Sequence, residues 1–264
     1  MRPFTFLASI QAVIDGPTLA AEARRAEALG FTALVVPDHL IEQLSPIPAL
    51  ATIAAATEHL RIGAFVHNND LRHPAVLAQD LASLDVLSGG RLDIAIGAGW
   101  RRVEYDAIGL PFDPAPVRQA RLREAVAVLK GCFAEGPFSF AGEHYTINEL
   151  DSYPKPVQRP HPPFFIGGGG RATLSLAGRE ADIVGLAPRV LGGERADPLS
   201  ITLAATVEKI AWVREAAGER FDDLVLNVYP SVWPPTITDD ARAEASRVIE
   251  HVRGRRPTDL TETE

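Results

Sequence analysis

The sequence predicts an α/β protein in which strand–helix units follow one another and wind into a (β/α)-barrel. Three observations carry this reading. Short apolar runs alternate with longer stretches of helical period, seven such units follow in succession, and no linker or low-complexity segment divides them. Successive parallel strands need a crossover of a dozen or more residues, usually a helix that covers the sheet. Seven short units favour a barrel over an open, doubly wound sheet.

The elements follow in order. Residues 4–9 form a short apolar strand, and residues 17–29 place Leu19, Ala23, Ala26 and Leu29 on one helical face before Gly30 stops the helix. Strand 33–36, helix 48–57, strand 60–66 and helix 74–87 come next, the last ending near Ser88-Gly89-Gly90. Residues 91–96 are the fourth strand and 116–133 a long amphipathic helix. Strand 164–166, helix 171–178, strand 183–186, helix 200–217, strand 224–229 and a closing helix at 239–253 complete the pattern. Residues 135–163, rich in Pro, Gly and aromatics, interrupt it and read as an insertion at the mouth of the barrel. The whole of 1–264 is expected to be one domain.

Composition narrows the function classes. With 34 acidic and 26 basic side chains the chain carries a net charge of −8, which gives no electrostatic footprint for nucleic acid or an anionic membrane face. The lone Cys132 excludes an intramolecular disulfide and any multi-thiolate metal site, and it points to a reducing compartment. Met1-Arg2-Pro3 opens no secretory leader, and no stretch reaches the roughly 18 apolar residues of a membrane span, so a soluble, cytoplasmic protein is expected. The 7 histidines show no metal-ligand spacing, and no metal is expected.

In a barrel of this kind the chemistry gathers where strands end and loops begin. After the second strand, Pro37-Asp38-His39 sets a carboxylate beside an imidazole that titrates near neutrality; a helix cap followed by a packed histidine is the alternative. After the third, His67-Asn68-Asn69-Asp70 is either a polar cluster with Asn68 in the substrate pocket or an ordinary turn. After the fourth, Gly97 and Gly99 remove side chains where a planar ligand could lie, and Trp100 supplies an aromatic wall; a tight turn with a core tryptophan reads equally well. The strongest local signal follows the fifth strand. There Gly167-Gly168-Gly169-Gly170-Arg171 opens a helix, the geometry in which backbone N–H groups cradle a phosphate. No nucleophile elbow, H-E-x-x-H, P-loop or dinucleotide fingerprint is present.

Taken together these pieces resemble the bacterial luciferase-like monooxygenase superfamily. The resemblance rests on Ala26-Glu27-Ala28-Leu29-Gly30-Phe31 leading to Pro37-Asp38-His39, on Leu87-Ser88-Gly89-Gly90-Arg91, on Gly97-Ala98-Gly99-Trp100 with Glu104-Tyr105 and Gly109, and on the run from Tyr153 to Gly168. It implies a (β/α)8-type TIM barrel that binds FMN or the deazaflavin coenzyme F420 at its carboxyl face. In the deazaflavin branch it implies that Asp38 and His39 lie near the reactive ring and that a bulge formed by Ala64, Phe65 and Val66 backs the ring. It further implies that Gly167, Gly168, Gly169, Gly170 and Arg171 hold the phosphate, with Arg189 as a further phosphate or tail contact.

The expected activity is therefore F420-dependent hydride transfer to or from a small organic substrate. His39 would be the acid/base or ring-orienting group, with Asp38 as its orienter or a ring hydrogen-bond partner. An FMN-dependent monooxygenase, and a non-catalytic flavin-binding or partner subunit, are the alternatives. A homodimer follows from the resemblance alone. Two departures from the family pattern stand out. Trp100 occupies the slot where sugar-phosphate dehydrogenases of this branch carry a proton-donating glutamate, which makes glucose 6-phosphate a poor fit as substrate. Relatives also continue through an eighth strand and helix, whereas this sequence runs into a polar tail at 258–264, so the eighth βα unit is expected to be missing.

Overall fold

The computed structural model describes residues 4–193 and 195–228. The expected closing helix at 239–253 and the tail at 258–264 lie outside them. The elements are β1 Leu7–Ser9, α1 Gly16–Ala28, β2 Ala33–Val36, α2 Pro46–Ala56, β3 Arg61–Ala64, β4 His67–Asn68, α3 Pro74–Ser88, β5 Ile94–Gly97, α4 Arg102–Ile108 and α5 Ala115–Phe133. They continue with β6 Phe138–Ala141, β7 Thr146–Leu150, β8 Phe164–Gly168, α6 Arg171–Glu180, β9 Ile183–Leu186, β10 Val190–Leu191, β11 Arg195–Ala196, α7 Leu203–Ala217 and β12 Val225–Val228. Among the described residues, no helix is long and apolar enough to cross a membrane.

The architecture is α/β with parallel sheets. One sheet runs β1-β2-β3 and the other β4-β5-β8-β9-β12, every neighbouring pair parallel. A parallel bridge between Ile62 and Leu92 joins the two, with Ile62 N donating to Arg91 O and Asp93 N to Ile62 O. Strands covered by helices must be apolar on both faces, and all four residues of β2 and of β5 are buried. The core continues outward through Leu50 and Ile53 of α2, Leu77 and Leu81 of α3, Leu122 and Leu129 of α5 and Leu174 of α6.

The expected strand at 60–66 is two strands. β3 pairs with β2 and stops at Ala64; the Phe65–Val66 peptide is cis, and the chain resumes as β4, which pairs with β5 through His67↔Ile96 and Asn68↔Gly97. This change of partner swings Phe65, Val66, His67 and Asn68 toward the carboxyl end of the sheet. The continuous apolar run carries no mark of it.

Residues 135–163 depart from the βα alternation as expected, and they contain the β6–β7 antiparallel hairpin. Glu124 of α5 pins the hairpin turn, its carboxylate accepting from the backbone N–H of Glu143, His144 and Tyr145 at 2.9–3.1 Å. A second carboxylate straps the descending limb to α3. Asp85, fully buried, accepts from Val157 N at 2.7 Å, Gln158 N at 2.9 Å and Gln158 Nε2 at 2.7 Å. Asp85→Ala removes the acceptor of two half-buried backbone N–H groups, while Gln158 Nε2 keeps Leu92 O, and is expected to lower stability by about 2 kcal/mol in urea unfolding; an unchanged midpoint would show that the strap contributes nothing.

Candidate active site at the carboxyl ends of the strands

A cavity of about 500 Å³ opens where β2, β4, β5, β8 and β9 end, within the size range of cofactor pockets. Most of the residues expected from the sequence converge on it. Asp38 and His39 line it after β2, Phe65, Val66 and Asn68 at the β3–β4 kink, and Gly97, Gly99 and Trp100 after β5. Gly167 to Gly170 line it at the end of β8, and Arg189 after β9. Two residues lie elsewhere. Ala64 is buried within β3, and the exposed side chain of Arg171 pairs outward with Glu215 of α7 at 2.8 Å.

Asp38 and His39 diverge into two separate networks. The buried Asp38 carboxylate accepts from Arg72 Nη1 at 2.6 Å, from Arg72 Nη2 at 3.3 Å and from Asn68 N at 3.1 Å. His67 Nδ1 stands 3.5 Å away, close enough for charge interaction but longer than a well-formed hydrogen bond. Burial works to raise the Asp38 carboxyl, but the polar hydrogens and charge of His67 and Arg72 outweigh it and bring it down to about 2. Asp38 is thus an anionic anchor between the β2 loop and the β3–β4 kink.

His39 finds its partner 65 residues away. Its Nδ1 meets Oε2 of Glu104, on α4, at 3.1 Å, and the buried Glu104 offers its other oxygen to Arg101 Nη1 at 3.2 Å. With Nδ1–H donated to a carboxylate, Nε2 is the ring nitrogen without a hydrogen-bond partner among the described residues. Trp100 stands edge-on to the imidazole, ring centroids 5.6 Å apart at 84°, and completes the wall. Helix α4 follows directly from the β5 glycines; its N-terminal end supplies Glu104, while Tyr105 packs inward with its hydroxyl donating to Asn68 Oδ1 at 3.0 Å or Asp70 Oδ2 at 3.1 Å. Burial, with the Asp70 charge, pushes the Tyr105 hydroxyl up, so it remains a donor.

The glycines serve two different needs. At Gly99, with φ +72°, a Cβ would collide with the Tyr105 hydroxyl, and at Gly169 one would collide with Pro188 O, so both positions are fixed by close packing within the chain. Gly170, at the N-cap of α6, has no atom within 4 Å of that position. The loop therefore leaves room at a helix N-terminus, where backbone N–H groups point toward an incoming anion. Near the opposite wall, Arg118 of α5 is buried against the Phe112 ring, its guanidinium carbon 3.9 Å from the ring centre, and donates to the carbonyls of Ala98 and Asp113. His67 belongs to the polar cluster the sequence marks after the third strand, whereas nothing in the sequence singles out Arg72 or Arg118 as site residues. Glu104 is visible there within the family motif, but its contact with His39 is not.

The luciferase-like monooxygenase family model matches residues 6–259. An FMNH(2)-dependent dimethylsulfone monooxygenase of Pseudomonas putida is 38% identical over 130 residues, 49% of this chain and 36% of that protein. An F420-dependent glucose-6-phosphate dehydrogenase of Microbacterium testaceum is 33% identical over 165 residues, 60% of this chain and 48% of that protein. The matched part of this chain thus spans half or less of these relatives' lengths. Among solved structures, the coenzyme F420-dependent tetrahydromethanopterin reductase of Methanopyrus kandleri superposes with a TM-score of 0.74 at 23% identity, covering 85% of this chain and 65% of the other. With the parallel strands, the kink after β3 and the glycine-lined cavity in place, the match over nearly its whole length makes this chain a member of the luciferase-like monooxygenase family.

Proposed function

We propose that the chain is an oxidoreductase that binds coenzyme F420 in this cavity and moves hydride between it and a small organic substrate. The observation that carries the reading is the His39–Glu104 pair, an imidazole held by a buried carboxylate and facing a cavity of cofactor size. A glutamate thus stands beside the imidazole despite Trp100, supplied by the first turn of α4. The family reading also favours the parallel strands as part of a (β/α)8-type barrel, with the cavity at its carboxyl face.

The lining fits such a cofactor. Phe65 and Val66 offer an apolar face, and Gly170 leaves open space at the α6 N-terminus for a phosphate. The deazaflavin, when bound, supplies the hydride chemistry. The chain's own groups then divide the remaining work. Glu104 fixes the His39 tautomer, His39 Nε2 holds or releases the proton that accompanies hydride transfer, and Trp100 fixes the imidazole and helps exclude water. A wall of this aromatic character favours a substrate less polar than a sugar phosphate.

The likeness to the FMNH(2)-dependent monooxygenase supports FMN as a second reading. Titration of the purified chain with each cofactor, followed by absorbance, separates the two. F420 is expected to bind at least about tenfold more tightly than FMN, a difference of about 1.4 kcal/mol. Tight FMN binding with no measurable F420 affinity would reverse the assignment.

A further inference from the structure

A second space adjoins the cavity and plays no part in the chemistry above. It is a groove of about 250 Å³ between α5 and α6, and Gln119 and Thr173 line both it and the main cavity. The helices leave it open because each packs on another neighbour. Helix α5 lies closely on α3 and α6 on α7, whereas α5 and α6 barely meet. Buried Leu122 and Leu176 floor the groove, and the exposed Arg123 and Arg179 line it farther along the two helices. From Gln119 to Arg123 is about 6 Å along α5 and from Thr173 to Arg179 about 9 Å along α6, which two to three extended residues of a flexible chain would span.

The charge of this groove is uncompensated. Among the described residues neither the Arg123 nor the Arg179 guanidinium has an ion pair or a hydrogen bond. Their acidic neighbours in sequence are committed elsewhere, Glu124 to the hairpin turn and Glu180 to Lys130 at 2.8 Å. No carboxylate lines the groove, although acidic side chains outnumber basic ones 34 to 26 in the chain. Two cations lining one space without a counter-charge favour an anion there. The arginines on the other flank of the glycine loop are already neutralised, Arg171 by Glu215 and Arg189 by Asp197. We propose that the groove binds an acidic chain, a flexible stem bearing two or more carboxylates, that runs on from a phosphate held at the α6 N-terminus. In coenzyme F420 that chain is the glutamyl tail. The inference rests on the cofactor reading above and adds to it a site for the part of the cofactor that FMN lacks.

Dissociation constants in the full chain test this without turnover, using F420 with several glutamates, the same deazaflavin truncated after its phosphate-bearing unit, and FMN. The wild type is expected to bind the tailed form about tenfold more tightly than the truncated one, and added salt is expected to narrow the gap. Arg123→Gln with Arg179→Gln is expected to abolish that preference while leaving the truncated form unchanged. Arg123→Lys with Arg179→Lys, which keeps both charges, is expected to retain most of it. Both positions are exposed, and unchanged affinity for the truncated form reports an intact fold; if the double glutamine variant does not fold, each single glutamine variant carries the test with about a threefold loss. Equal wild-type affinity for the tailed and truncated forms overturns the inference alone. So does an equal loss for both in the glutamine variants, which marks a general effect on the fold. A free γ-glutamyl dipeptide that binds as well in the presence of tailed F420 as in its absence, and needs Arg123 and Arg179, assigns the groove to a separate ligand and overturns the tail as its occupant. A wild-type chain that binds neither deazaflavin overturns the cofactor reading and this inference together.

Discussion

His39→Ala is expected to lower turnover by about 10²–10⁴-fold on any substrate the wild type accepts, while cofactor affinity changes much less. The size follows from what the imidazole does. On the proposed reading, removing it takes away the proton carrier held by Glu104, yet it leaves the apolar wall and the glycine loop that would hold the cofactor. Glu104→Gln provides the companion measurement. It preserves side-chain volume and removes the charge that favours the Nδ1–H tautomer, so turnover should fall with little change in KM, and the pH–rate profile should shift with it. Near-normal turnover in His39→Ala together with a lower thermal midpoint would assign the histidine to packing and leave the proposed chemistry without its proton carrier.

Asp38→Ala is expected to be the most destabilising single change at the site, at about 3 kcal/mol. It strips Arg72 of its bidentate partner and leaves the Asn68 N–H without an acceptor where the β2 loop meets the β3–β4 kink. That loss sits at the low end for a broken buried pair because the Arg72 side chain is 23% exposed, so water screens the charge left behind. The same carboxylate sets a pH dependence. Its folded value, about 2, lies below the ordinary 3.8, so it adds stability above about pH 4 that is lost as the pH falls through 2. That shift corresponds to about 2 kcal/mol. Urea unfolding between pH 5 and pH 2 should show this loss in the wild type and a shallower slope in Asp38→Asn. Equal slopes would remove Asp38 from its role as the anionic anchor.

By itself the sequence determined the alternation and where the chemistry would gather. The bounds of β2 and β9 match the apolar runs 33–36 and 183–186, because a strand buried on both faces must be apolar throughout and is bounded by turn residues. Helix α3 keeps its predicted Pro74 start and ends at Ser88, where Gly89 adopts the left-handed conformation that closes a helix. Because parallel strands all point one way, their following loops share one end, and the residues just after each strand could be read as a site before any contact was known.

Only the tertiary structure decided which of those residues work together. Asp38 and His39 leave β2 in the loop that follows it, and the two take different partners. Asp38 turned to Arg72 and Asn68, and His39 to Glu104. The change of strand partner after Ala64 has no compositional trace, yet it sets His67 and Asn68 against β5 and brings them to the cavity. The seven-residue α4, too short to show a helical period, is what carries Glu104 to the imidazole. Local pattern fixes which backbone a segment prefers, whereas the pairing of side chains 30 to 65 residues apart depends on how packed elements are brought together, and no window of the sequence contains both partners.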